Sequence, residues 1–192
     1  EQLLMNRARD RKVFRQIVSL IKNFKEYFVS HHQPVYENPS PGNKEGGITT
    51  LEEKSLGAIQ KGGLAQVTEV LDYGELAERG GLVLLNAPGN DGVSSTAMIA
   101  SGAVLLLFTT GRGTPMGFPV PTIKISSTSG LFRHKPGWID FDAGGVLAGT
   151  PCEDMTASLF DLILDAASGR TKTRNEINGY RDIAIWKDGV TL

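Results

Sequence analysis

The sequence has a single cysteine, Cys152, in 192 residues. No intrachain disulfide and no multi-cysteine metal cluster can therefore form within it. Long apolar runs are also missing: none approaches the ~20 residues a helix needs to cross a bilayer. No charged-then-apolar leader with a small-residue cleavage site opens the chain, so a cytoplasmic protein that does not enter a membrane is expected. Charge of one sign is scarce too. The formal net charge is −1, yet residues 1–30 hold seven of the 20 Lys and Arg against three of the 21 Asp and Glu, leaving 13 basic and 18 acidic residues beyond them. A basic face for nucleic acid ends with the first thirty residues, and no nucleic-acid partner is expected.

What is present reads first as a helix. Apolar side chains recur at Val13, Phe14, Ile17, Val18, Leu20, Ile21, Phe24, Tyr27 and Phe28, while Arg11, Lys12, Arg15, Lys22 and Lys25 mark the other side. This period predicts one long N-terminal amphipathic helix, packed by its stripe with the basic face in solvent. The chain begins without a cap or turn signal, as if cut inside or just before a helix. Residues 1–33 are then expected to lead in from upstream domains, and residues 34–192 to form an α/β domain. Residues 34–48 carry three prolines and three glycines and are expected to be a long irregular loop suited to wrapping a ligand. Thr49-Thr50-Leu51-Glu52-Glu53 reads as an N-cap with acids in the first turn of a short helix ending near Gly57 or Gly62-Gly63.

Repeated strand, glycine-loop and helix units follow. The apolar runs 81–85 and 103–108 do not alternate with polar residues, as expected of neighbouring strands covered on both faces in a parallel sheet. Each leads into a polar loop, Asn86-Ala87-Pro88-Gly89-Asn90-Asp91-Gly92 after the first and Thr109-Thr110-Gly111-Arg112-Gly113-Thr114-Pro115 after the second. Further strands are expected at 67–71, 122–125 and 138–141, with an edge strand at 183–186. Helices are expected at 93–101 and at 153–167, the latter closed by Gly169. The alternation indicates an α/β fold, a three-layer sandwich with a mostly parallel sheet.

In such a sheet the functional loops follow the carboxyl ends of the strands. An arginine between two glycines sits on backbone that bends closely around an anion, and its guanidinium forks onto a carboxylate. Arg112 is therefore the leading binding candidate, with Gly111, Gly113, Thr109 and Thr110 around it; a local Asp as partner is the structural alternative. The loop matches neither G-x-x-x-x-G-K-[ST] nor G-x-G-x-x-G, which disfavours a nucleotide. Asn90 or Asp91 caps the helix after the first loop, whose free N–H groups also suit a carboxylate. Lys44, with Asn43, Gly46 and Gly47, is a second cationic candidate in the 34–48 loop. Lys124, mid-strand, is expected to face a cleft or an edge. His31 and His32 are expected in capping or solvent roles. Asp140 and Asp142, two apart, could share a cation but lack a third ligand. Cys152 has no histidine close in sequence to activate it. No general base is assigned.

Four stretches in order, Glu37 to Gly57, Ala87-Pro88-Gly89-Asn90-Asp91, Phe108 to Pro115 and Pro121-Thr122-Ile123-Lys124-Ile125, resemble the C-terminal region of the altronate/galactarate dehydratases. The ending from Ile183 to Leu192 resembles the end of the altronate branch, and Trp138-Ile139-Asp140-Phe141-Asp142-Ala143-Gly144 and the Ala87–Asp91 loop look closer to that branch than to the galactarate one. The resemblance implies a hydro-lyase of hexuronate catabolism that converts D-altronate to 2-dehydro-3-deoxy-D-gluconate and water. It also implies Fe(II), with ligands in an N-terminal and a middle domain of the same enzyme, and a fragment inactive by itself. The alternatives are a galactarate dehydratase domain and a non-catalytic scaffold or dimerisation module. The expected partners are a sugar-acid substrate, those further domains and, in some forms, a second copy of the chain.

Overall fold

A computed structural model describes residues 2–33, 41–45 and 47–189. Two compact units divide the chain, residues 1–87 with 187–192 and residues 88–186. Among the described residues all strand pairing is parallel, in one sheet of two strands and one of three, so the fold is mixed α/β.

In the first unit, α1 (Gln2–Met5) precedes α2 (Arg11–Ser30), which starts where the Asp10 carboxylate accepts the N–H groups of Lys12 and Val13. Those two donors hold the Asp10 carboxyl below its usual range, the Val13 N–H being the larger cause. One stripe of α2 buries Val13 and Ile17 against Val67, with Leu82, Leu84 and Ile21 around them. The helix is thus part of this unit's core. Val67 opens β1 (Val67–Leu71), which runs parallel to β2 (Leu82–Leu85) with Leu71 opposite Leu85. The expected loop at 34–48 is partly helical. Its residues 41–45 form α3 (Pro41–Glu45), where proline at the first position loses no helical hydrogen bond because that N–H has no partner in the ladder. Residues 34–40 and 46 lie outside the described ones. Thr50 caps α4 (Leu51–Lys61), which stops at Gly62.

The second unit is built on β3 (Leu106–Thr110), β4 (Thr122–Ser126) and β5 (Phe141–Asp142), with β4 central. All five residues of β4 are buried. Ile123 and Ile125 point to α7 (Cys152–Ala167), which covers them with Leu159, Leu162, Ile163 and Ala166. Thr122, Lys124 and Ser126 point the other way. On that side the short helix α8 (Arg174–Asn178) places Asn175, whose Oδ1 accepts the Thr122 N–H at 2.9 Å and whose Nδ2 donates to Phe118 O at 2.9 Å. A buried amide bonded this way ties the 118–122 turn to the sheet without an unpaired polar atom.

Several expected elements shift, each for a local reason. The two loop-bearing strands are not neighbours: β2 pairs with β1, and β3 with β4. β3 begins at Leu106 because Ala103 N–H closes back onto Met98 O, ending α5 (Asp91–Ala100), and leaves Val104 exposed. The strand expected at 138–141 starts at Phe141, because the N–H groups of Trp138 and Ile139 both bond Lys135 O beyond the end of α6 (Ser129–His134). No strand forms at 183–186. Ile183 and Ile185 are exposed there, and Ala184 N–H bonds the Thr96 hydroxyl of α5 instead of a sheet neighbour.

Candidate functional site

The loop that leaves β3 is fixed at the backbone and free at one side chain. Gly113 N–H donates to the Thr110 hydroxyl at 2.9 Å, and the Lys135 ammonium donates to Arg112 O at 2.8 Å. Both polar atoms of the peptide between Arg112 and Gly113 are therefore bonded. Farther on, the Lys124 ammonium donates to Thr114 O at 3.1 Å and Met116 N–H to the Thr114 hydroxyl at 3.2 Å. Ser127 N–H reaches Thr110 O at 3.1 Å, joining this loop to the one after β4. Amid these bonds the Arg112 guanidinium is exposed and, among the described residues, has no hydrogen bond or ion pair, so the local Asp partner weighed from the sequence is not there.

The two glycines beside Arg112 differ. Gly113 has φ +76, and a Cβ there would lie 2.8 Å from Lys135 Cδ. At Gly111 a Cβ would meet only Ser127 Oγ, at an ordinary 3.6 Å. Gly113→Ala is therefore expected to lower stability by about 1–2 kcal/mol through its left-handed backbone, whereas Gly111→Ala stays within about 0.5 kcal/mol. Urea melts of the two variants compare them directly; equal losses would refute the distinction.

Helix α5 faces the same loop. Asn90 Oδ1 accepts the N–H groups of Gly92 and Val93 at 3.0 and 3.2 Å, so its side-chain oxygen is committed to capping. Two cavities border this helix. One, of about 220 Å³, lies between Asp91, Ser94, Ser95 and Met98 of α5 and residues 106–109 of β3; the other, of about 450 Å³, is lined by Gly92 with Thr114, Met116, Tyr180 and Asp182, at the far end of the Arg112 loop.

Lys124 is fully buried in the central strand, at no edge and in no open cleft, which corrects the sequence expectation. Its ammonium stands 5.6 Å from the centre of the Tyr180 ring. Burial pulls its pKa below the usual lysine value, against the opposing pull of Asp140 and Asp182. Asp140 is pushed above its usual value, again by burial first, while the N–H groups of Lys124 and Arg174 work the other way. These two N–H bonds, at 2.8 and 2.7 Å, use one Asp140 oxygen each. Asp142 accepts Gly144 N–H at 2.8 Å, so the two carboxylates serve separate backbone turns, and sharing a cation is not what they do here.

A third loop joins the carboxyl end of this sheet. Ser127, Thr128 and Ser129 follow β4, with Ser127 and Thr128 exposed. Gly144, after β5, presses on it: a Cβ there would overlap Ser129 N and the Thr128 backbone. The hydroxyl-bearing loops after β3 and β4, the unpaired Arg112 and the Lys135 ammonium therefore meet at the carboxyl end of this sheet, chemistry that suits a polyhydroxylated anion.

The chain matches, over residues 1–191, the family described as D-galactarate/altronate dehydratase, C-terminal. It belongs to that family. It is 51% identical to the altronate dehydratase of Escherichia coli over its whole length and 39% of that protein, and 51% identical to the altronate dehydratase of Bacillus subtilis with the same coverage. The galactarate dehydratase (L-threo-forming) of Escherichia coli is 37% identical over 96% of the chain and 36% of that protein. The chain therefore spans about two fifths of the length of the altronate dehydratases it matches.

Within this dehydratase domain the remaining candidates, Cys152 apart, fall in the first unit. Lys44 is exposed at the end of α3 with no partner for its ammonium among the described residues, and Asn43 Oδ1 accepts from Lys54 Nζ at 2.8 Å. Gly47 turns the chain at φ +97, while Gly46 lies outside the described residues. His31 Nδ1 is 2.8 Å from Tyr27 O at the end of α2, and His32 adopts the left-handed conformation, which agrees with capping. Cys152 is a free, exposed thiol at the start of α7. Among the described residues no three His, Cys, Asp or Glu side chains gather to hold a metal, so the donor set here does not fit an Fe(II) centre. No helix among them is long and apolar enough to cross a membrane.

Sequence reasoning missed Lys135 and the Ser127–Ser129 hydroxyls of the dehydratase domain. The hydroxyl run directly after a buried strand was the available signal. Nothing in the sequence shows that Lys135 reaches back 23 residues to Arg112 O.

Proposed function

We propose that this domain supplies the substrate-carboxylate contact of a cytoplasmic hydro-lyase that dehydrates D-altronate to 2-dehydro-3-deoxy-D-gluconate. The observation that carries the site is the unpaired Arg112 guanidinium on a backbone held by its neighbours. In the reaction a base takes the proton from C2, the C2–C3 double bond forms as hydroxide leaves C3, and the released proton and hydroxide balance as water. The resulting enol then ketonises. Negative charge builds on the C1 carboxylate as the proton leaves, and a fixed guanidinium stabilises that charge more than it stabilises the ground state. Thr109, Thr110, Gly111, Gly113 and Asn90 are the neighbouring substrate contacts in this reading. Lys44, Asn43, Gly46 and Gly47 form a second group of substrate contacts in this reading.

The whole enzyme is larger than this chain. In this reading the general base and the Fe(II) ligands belong to its further domains. Altronate is favoured over galactarate because the two altronate dehydratases match the chain at higher identity. Steady-state assays of the full-length enzyme with Fe(II) on D-altronate and on galactarate, side by side, test the branch. A kcat/KM at least about tenfold higher for D-altronate is expected, a difference of ~1.4 kcal/mol in transition-state binding; a preference for galactarate would reject it.

A further inference from the structure

The reading of Arg112 as a carboxylate contact leaves open what aims it. An exposed arginine on a glycine-flanked turn would ordinarily sample many directions, and ordering it on binding would cost affinity. Here the peptide plane after Arg112 is held at both ends, by the Thr110 hydroxyl on its N–H and by the Lys135 ammonium on its carbonyl. Two residues on, the buried Lys124 ammonium holds Thr114 O. The carbonyls on either side of the left-handed Gly113 are thus each bonded by a lysine. Lys135 is itself oriented, its ammonium standing 4.8 Å from the Trp138 ring centre and its Cδ against Gly113. Ammonium groups on a protein surface usually pair with carboxylates, yet no acidic partner for Lys135 is present among the described residues.

We propose that Lys135, assisted by Lys124, is a positioning residue: it fixes the Arg112–Gly113 peptide and so points the guanidinium at the substrate carboxylate. The inference rests on the Arg112 reading and is separable from it. Charge-assisted hydrogen bonds to a neutral acceptor are strong enough to hold one backbone conformation. A misaim of about 1 Å at a charged contact is enough to cost up to ~100-fold in rate. The ammonium of Lys135 also adds positive potential beside the guanidinium, which favours an anionic ligand.

A double-mutant cycle in the full-length enzyme tests this. Lys135→Met keeps the aliphatic stem that packs on Gly113 and removes the charged donor. It is expected to lower kcat/KM about tenfold, mostly in kcat, through the misaimed guanidinium, with little change in melting temperature because the exposed Arg112 carbonyl takes up water in place of the ammonium. In an Arg112→Ala background the same substitution is expected to change kcat/KM by less than about twofold, because groups acting as a unit are not additive. Lys135→Arg, which keeps a cationic donor, restores part of the loss. Equal losses from Lys135→Met with and without Arg112, or no loss from it in the parent, would overturn the inference while leaving Arg112 in place. Normal activity of Arg112→Ala alone would instead remove the reading on which it rests.

Discussion

Arg112→Ala in the full-length enzyme is expected to lower turnover by at least about 100-fold, the scale of losing one positioned transition-state contact, with no change in melting temperature. The two halves of that result come from one observation. Because the exposed guanidinium makes no hydrogen bond or ion pair within the described residues, truncating it removes no polar contact from the folded domain. The loop keeps its shape because Thr110, Lys135 and Lys124 hold backbone atoms rather than the arginine side chain. Arg112→Lys should recover only part of the loss, since an ammonium cannot fork onto both oxygens of a carboxylate. Steady-state kinetics with thermal melts of the same preparations decide it. Near-normal kinetics would make the loop a structural turn and would favour the scaffold alternative for this domain.

The largest stability loss is expected at Gly144. Its φ is not the left-handed kind, so the reason is space alone: an added Cβ would run into Ser129 N and the Thr128 backbone, with no flexible side-chain end to give way. Gly144→Ala must push β5 and the 127–129 loop apart. Overpacking against backbone costs about 3 kcal/mol or more at the severe end, a fall of roughly 6–12 °C in melting temperature for a protein of this size. Gly145→Ala is the control. The nearest atom there is Met155 Cε, the end of a flexible side chain that can swing away, so its loss should stay below about 1 kcal/mol. Comparable melting temperatures for the two variants would show that the 127–129 loop is not held as described.

Much of the secondary structure was legible because its signals are local. The stripe from Val13 to Phe28 predicted a helix, and α2 spans Arg11–Ser30. Thr50 and Asn90 cap the helices that follow them, through side-chain oxygens on N–H groups two or three residues ahead. Where the reading slipped, a bond ended one element inside what looked like the next. Ala103 closes α5 and Trp138 closes α6, and a run of apolar residues carries no mark of which of its members the preceding helix will claim. The apolar residues at Ile183 and Ile185 alternate as a strand would, but pairing needs a free edge brought alongside, and the bond from Ala184 goes to Thr96. Pro41 was counted as a helix breaker, although it stands at the one helical position that tolerates it.

The same division runs through the site. Residue type, period and capping depend on neighbours close in the chain, and from them the sequence by itself determined the main helices, a strand at 122–125, the Gly-Arg-Gly loop as an anion-binding candidate and the dehydratase family. Tertiary structure alone decided which strands pair, that Lys124 is buried rather than at an edge, that Asp140 and Asp142 serve different turns, and that Arg112 is left unpaired. Each of these depends on groups far apart in the chain: Lys135 reaching Arg112 O, Asp140 reaching Lys124 N–H, Asn175 reaching Thr122 N–H. A hydrogen bond forms wherever folding brings donor and acceptor within about 3 Å, and sequence separation has no bearing on it.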